Sequence, residues 1–281
     1  MKISEKAVLA NLKVSRWGTS KHDKNADRVI SERYQLADSV GRYTKTLMKE
    51  EALKDIGTIA NQARNYHNEV TLAWSDSYGR ILPTKMIAEW RAQMEKYEVM
   101  FQKAVEYAEK HYPSYVENAE TTLGKLFKRE EYPKSITDYY SFAFEITNVP
   151  DQRDFRIDLE QGELDRIKKD MEKNMGNSLN TAMGDLYNKV QKTVDALVVK
   201  LDDETGVFRD SLIGNIQDIV ELLPKLNIME DKKIDDIGKE IKEKLLKHNP
   251  EEIRGDRKTR KEVADEAKKI VSAMAGFGGK V

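Results

Sequence analysis

Residues 64–83, RNYHNEVTLAWSDSYGRILP, gather more chemistry-bearing side chains than any other stretch of the chain. Arg64, His67, Glu69, Trp74, Asp76 and Arg80 all fall there. Arg64 and His67 are three residues apart, so on a helix they share a face. His67 has the chemistry of a general base, and Asp76 or Glu69 is placed to orient its imidazole. The surroundings argue against catalysis. There is no nucleophile motif, no glycine-rich phosphate loop and no carboxylate cluster, and His-Asn-Glu is not the HExxH zinc helix. Two other readings fit the same residues. Arg64, His67, Trp74, Asp76 and Arg80 are candidates for a surface that recognises a protein partner. They also suit a polar network pinning a hairpin to its helix, since buried polar groups need partners.

A second chemistry is electrostatic. The chain carries 48 basic and 49 acidic residues, net −1, so no global field draws it onto nucleic acid. Residues 1–49 nevertheless hold eleven Lys and Arg against five Asp and Glu. Lys13, Arg16, Lys21, Lys24 and Arg28 could meet a phosphate backbone. The run 253–269 adds Arg254, Arg257, Lys258 and Arg260 as a candidate phosphate-contacting arm. The plainer reading of both clusters is a solvated surface balanced by acids on neighbouring turns. No aromatic residue interleaves with the second run, so it is not built for base stacking.

These residues must be positioned by elements that the periodicity marks out. Val8, Ala10, Leu12 and Val14 alternate as in a strand ending near Trp17-Gly18. Asp23 reads as the cap of a short helix, and residues 40–48 read as ambiguous or extended. A helix is expected from about Lys49 to Glu69, then two short strands, Thr71–Trp74 and Arg80–Leu82, around a turn in which Gly79 is free to take positive φ. Pro83 is expected to open the next helix, whose apolar face runs Ile87, Trp90, Met94, Tyr97, Phe101, Val105 and Ala108. That helix should stop at His111-Tyr112. Pro113 and a Ser114–Glu117 capping box should then start a shorter one. Phe142, Phe144 and Ile146 alternate as in a strand, and Asn148–Asp151 is a turn and the best internal boundary.

Beyond the boundary, Leu164, Ile167, Met171, Met175, Leu179, Ala182, Leu186, Val190, Val194, Leu197 and Leu201 form one stripe. Its period of about 3.7 predicts a nearly straight helix of roughly 60 Å. Such a stripe serves either as intramolecular core or as a seam for self-association, and Met171, Met175 and Met183 add adaptable surface. A return helix follows Gly206. Shorter helices then run from Ile234, from the Asn249-Pro250 start and through Val263–Met274.

Composition narrows the class. The chain is 39% apolar and 35% charged, with mean hydropathy −0.70, which points to helices with solvated faces. There is no cysteine, so disulfides and thiolate chemistry are excluded, and a reducing, cytoplasmic setting is expected. The four histidines (22, 67, 111, 248) are scattered, and no metal or cofactor is expected. The start MKISEKAVLA lacks a signal-peptide core, and no run approaches the ~20 apolar residues of a membrane span. The expected fold is mainly α. A mixed α+β region with a short β-hairpin spans 1–150, a long helical hairpin and helical bundle spans 151–275, and 276–281 is a tail.

Three segments resemble one family: LANLKVSRWGTSKHDKNADRVI, RNYHNEVTLAWSDSYGRILP and FRDSLIGNIQDIVELLPKLNIMEDKKIDDIGKEI. The family is the domain of unknown function numbered 3150, found in bacteriophages and mobile elements. The resemblance covers roughly residues 8–275, and FRDSL, Asn215 and LLPKLN are its most specific parts. The chain departs from the pattern at Ala73, where Pro is expected, which bears on local hairpin geometry. The family carries no assigned activity, so it implies no catalytic residue. It implies a context, with genes near a MoxR-like AAA+ ATPase and a von Willebrand A-type protein, and near recombination genes in some elements. The expectation is therefore a non-enzymatic adaptor or scaffold acting with such an ATPase, with possible self-association. The alternative is a nucleic-acid-associated recombination or anti-defence factor.

Overall fold

The computed structural model describes residues 3–37, 40–75, 79–150, 161–203 and 208–274. The protein is mainly α, with eight α-helices among those residues and two small sheets. It divides into two units built from separated segments. Unit 1 draws on residues 1–11, 67–90 and 145–281, and unit 2 on 12–66 and 91–144.

Strands β1 (Ala7–Ser15, in unit 1 up to Asn11), β4 (Leu72–Ser75), β5 (Gly79–Pro83) and β6 (Ser141–Asn148, in unit 1 from Glu145) form a four-stranded sheet of order β4-β5-β1-β6. Leu9 faces Ile81 across the β1–β5 pair, and Ile81 faces Leu72 across β5–β4. All three side chains are buried. Gly79 takes φ +76 beside Asn11, and a Cβ there would stand 1.8 Å from the Asn11 side-chain oxygen. Pro83 ends β5 and, as the N-cap of the turn that runs into the helix Ile87–Leu123, opens that helix as expected. It stands opposite Ala7, and the turn is a 3-10 turn, Thr84–Met86. A strand end suits a residue that has no N–H to give a ladder.

The dominant element of unit 1 is α4 (Gln161–Asp202), 42 residues long. It packs against β4, α5 (Ser211–Leu226) and α8 (Arg257–Met274), while α6 (Lys232–Lys244) and α7 (Pro250–Gly255) complete the bundle. The apolar stripe divides in two along its length. Ala182, Leu186, Val190, Val194, Leu197 and Leu201 are buried, whereas Leu164, Ile167, Met171, Met175 and Leu179 are only partly covered. Each fully buried Leu or Val contributes about 1.5–3 kcal/mol, so the second half anchors the helix. Asn249 and Glu252 form the reciprocal capping box of α7, with Pro250 at its first position.

Unit 2 pairs β2 (Ser20–His22) with β3 (Thr44–Thr46) and holds α1 (Lys24–Tyr34), most of α2 (Glu50–Val70) and most of α3 (Ile87–Leu123). Asp23 caps α1 by accepting from the Asn25 and Ala26 amides. The sequence expectation fails at Pro113. Helix α3 runs through it unbroken, and Ser114 donates back to the His111 carbonyl instead of capping a new helix. An interior proline costs about 3 kcal/mol. Phe101, Val105, Ala108, Tyr112, Val116 and Ala119 are buried on one face that passes straight through the proline. Their joint burial exceeds that cost. The proposed 148–151 turn and the helix stop at 202–206 lie partly outside the described residues, and the tail 276–281 lies wholly outside.

Candidate functional site

Unit 1 gathers the conspicuous residues where the end of α2 meets the hairpin. His67 is buried, and its Nδ1 accepts from Trp90 Nε1 at 3.1 Å, which leaves its own proton on Nε2. Burial, reinforced by the charges of Arg80 and Lys189, lowers its pKa to about 4, so the ring is neutral at pH 7. One turn on, Thr71 donates to the His67 carbonyl at 2.5 Å. Arg80 then ties the corner together. Its Nε donates to Thr71 Oγ1 at 2.7 Å, and its Nη2 donates to the Thr71 carbonyl at 3.1 Å and to Asp185 Oδ2 at 2.8 Å.

Asp185 is the hub on α4. The same carboxylate oxygen accepts the Ala73 amide at 2.8 Å, covering an N–H of β4, the strand at the sheet's edge. One turn further along α4, Lys189 donates to the Asn68 carbonyl in the last turn of α2, where a helix favours cations. Burial lowers the Lys189 pKa, opposed by Asp185, and burial also raises that of Glu69. Arg80 and Asp185 are 24% and 25% exposed, so water still reaches the network.

Of the five residues singled out in the sequence, His67, Trp74 and Arg80 fall in unit 1 and Arg64 in unit 2. His67 and Trp74 are buried in unit 1, and Arg80 is committed to Thr71 and Asp185. Arg64 belongs to unit 2, where its Nη2 donates to the Val14 carbonyl at 2.9 Å. Asp76 lies outside the described residues. Sequence reading missed Asp185, Lys189 and Trp90. Asp185 and Lys189 are ordinary members of a charged helix, and only their placement opposite β4 and Asn68 gives them a task.

Unit 2 holds a second network that no motif announced. Lys45, in the centre of β3, is fully buried. It donates to Asp23 Oδ2 at 2.7 Å and to the Leu126 carbonyl at 2.6 Å, and Glu131 Oε2 lies 2.8 Å away. Burial works against its charge, but the bonds to Asp23 and Glu131 outweigh it and raise its pKa. The Asp23 pKa falls to about 2, chiefly through Lys45 and then through the Ala26 amide. Tyr132 closes this region by donating to the Leu47 carbonyl at 2.6 Å.

The basic candidates separate as well. Lys13, Arg16, Lys24 and Arg28 are exposed, with Arg28 4.0 Å from Glu32, and Lys21 is 3.8 Å from Glu131. In unit 1, Arg254 pairs with Asp210. Arg260 donates to the carbonyls of Lys200, Leu201 and Asp203 at the end of α4, at 2.7–2.9 Å. Arg257 and Lys258 are exposed on the first turn of α8. Arg16 stands near Arg64: burial lowers the Arg64 pKa, and the Arg16 charge adds to that effect.

Among the described residues no group of three or more His, Asp or Glu side chains gathers to hold a metal ion. No helix there is long and apolar enough to cross a membrane. Comparison with protein-family models, curated proteins and solved structures finds no match for this chain.

Proposed function

We propose that the protein is a non-enzymatic adaptor or scaffold of phage or mobile-element origin. It acts in the host cytoplasm with a MoxR-like AAA+ ATPase and a von Willebrand A-type partner. The observation that carries this reading is the divided stripe of α4. Leu164, Ile167, Met171, Met175 and Leu179 share one helical face and remain partly uncovered, while the same face is buried from Ala182 onward. An apolar helical stripe ending in two methionines and a leucine suits docking against another protein, because unbranched thioethers adapt to a partner's contour. The neutral, buried His67 bonded to Trp90 supports a structural role for the residue best suited to be a base. The identity of the ATPase partner rests on the segments that resemble family 3150.

The test is reconstitution with the neighbouring ATPase and von Willebrand A-type protein. A stable complex and altered ATP turnover are expected, both lost in the Met171→Glu, Met175→Glu double variant with its helix content unchanged. Mixing that changes neither assembly nor turnover removes this reading.

A second reading, a nucleic-acid-associated recombination or anti-defence factor, draws on the exposure of Lys13, Arg16, Lys24 and Arg28. It predicts binding that weakens steeply with salt through counterion release. Absent or salt-insensitive binding would discard it.

A further inference from the structure

Two stretches of the sequence are free of acids. No Asp or Glu occurs between Glu5 and Asp23, and none between Asp55 and Glu69. In unit 2 these stretches lie together. Arg64 of α2 donates to the Val14 carbonyl at 2.9 Å. Arg16 Nη1 rests against Gly57, 3.2 Å from where a Cβ would stand. Gly57 and Arg64 are seven residues apart, on one face of the helix, and Asn61 lies between them on that face. Two guanidinium groups are thus set along one strip of α2, and among the described residues no carboxylate pairs with either. Like charges brought together without a counter-ion repel, so the arrangement favours an anion between them.

A third group lies close to Arg16 in the fold. The Trp17 and Tyr139 rings meet at 6.4 Å, which sets residues 139–140 beside the Arg16–Trp17 segment. Tyr140 packs edge-on to Phe101 at 6.3 Å. Its hydroxyl is buried and has no hydrogen-bond partner among the described residues. Arg16 acts electrostatically on Tyr140 as it does on Arg64. The acid nearest Tyr140 in sequence is Asp138, which is exposed.

We infer that Arg16, Arg64 and Tyr140 bind a phosphate-class oxyanion, either free phosphate or the terminal group of a phosphate monoester. Guanidinium forks present paired N–H donors that match adjacent oxygens of a tetrahedral anion, and the tyrosine hydroxyl supplies a further donor. Two positive charges suit the dianion of a monoester better than the single charge of a diester. Gly57 leaves room for Arg16 to lie against the helix. The site is independent of the α4 face and of the adaptor reading.

The test is calorimetric titration of the full chain with potassium phosphate, and separately with glycerol phosphate, at ionic strength matched with potassium chloride. Saturable binding of one equivalent is expected. Binding of both ligands identifies the shared monoester chemistry, and binding of phosphate alone identifies the free ion. Affinity should fall at least tenfold in Arg16→Gln, whose exposed side chain is not needed for folding, and at least fivefold in Tyr140→Phe. In phosphate-free buffer Tyr140→Phe should melt no lower than the parent, because it removes an unpartnered hydroxyl. Added phosphate should raise the Tm of the parent and not that of Tyr140→Phe. No saturable heat, or unchanged affinity in both variants, would overturn the assignment. So would a phosphodiester oligonucleotide that outcompetes phosphate at equal phosphate concentration.

Discussion

Arg80 and Lys45 each hold a short strand against helices through several hydrogen bonds, yet their surroundings differ. The Arg80–Asp185 pair is about a quarter exposed, while the side chains of Lys45 and Asp23 are 0% and 1% exposed. Arg80 draws on two carbonyls, a hydroxyl and a carboxylate, any of which water can replace in part. Lys45 has, among the described residues, two carboxylates and a carbonyl. The Arg80 network sits in the stretch that drew attention in the sequence. The Lys45 network sits in TKT, which did not. Conspicuous residue types and energetic weight therefore belong to different regions of this protein.

The sharpest test removes the buried cation. Lys45→Met should cost about 3–5 kcal/mol in urea unfolding, because Asp23 and Glu131 would remain buried with their partner gone. A loss below 1 kcal/mol would mean that water reaches the site and that the contrast is false.

Acid separates the regions next. His67 has its folded pKa lowered from 6.5 to about 4, so the unfolded chain takes up that proton first. The stability it confers is fully present above pH 6.5 and is lost as pH falls toward 4, by about 3 kcal/mol. Asp23 has its folded pKa lowered from 3.8 to about 2, so its contribution is present above pH 3.8 and is lost as pH falls toward 2. Stability measured against pH should therefore decline in two successive windows. His67→Gln, which keeps an acceptor for Trp90, should abolish the upper window and leave the lower one. A retained decline between pH 6.5 and 4 would show that another group titrates there.

Smaller effects refine the hairpin side. Gly79→Ala should cost about 2 kcal/mol in Tm-derived stability, since positive φ and the approach of Asn11 both oppose a Cβ. Arg80→Met should cost about 1–2 kcal/mol, because its partners can recruit solvent. An Arg80→Met loss equal to that of Lys45→Met would erase the distinction between the two networks.

Much of the fold was legible because it follows local rules. The strand β1, the Asp23 cap, the glycine of the hairpin, the α4 stripe and the Asn249-Pro250 start each need only neighbouring residues. The buried face of β1 is not part of this, for it is Ala7, Leu9 and Ala10 where Val8, Ala10, Leu12 and Val14 were expected. Pro113 was misread because the signal for stopping is local, while the burial that overrides it comes from six side chains spread over α3. At the candidate site, His67 and Arg80 could be named but not their partners. Asp185 lies 105 residues from Arg80, and Glu131 lies 86 residues from Lys45. Nothing in the spacing of a lone lysine or aspartate encodes a partner at that distance.

The interleaved make-up of the two units has a consequence during synthesis. Every residue of unit 2 has been translated once Phe144 is joined, and the residues of unit 1 are complete only when the last helix is made. The strands β4 and β5 must therefore wait, with Leu72 and Ile81 destined for burial, until α4 and α5 emerge. A ribosome that stalls after residue 150 would release a chain whose second unit has all its parts and whose first has a sheet without its helices. Such a product exposes an uncovered β4 edge to other chains, so quality control of this protein falls on the last half of its message.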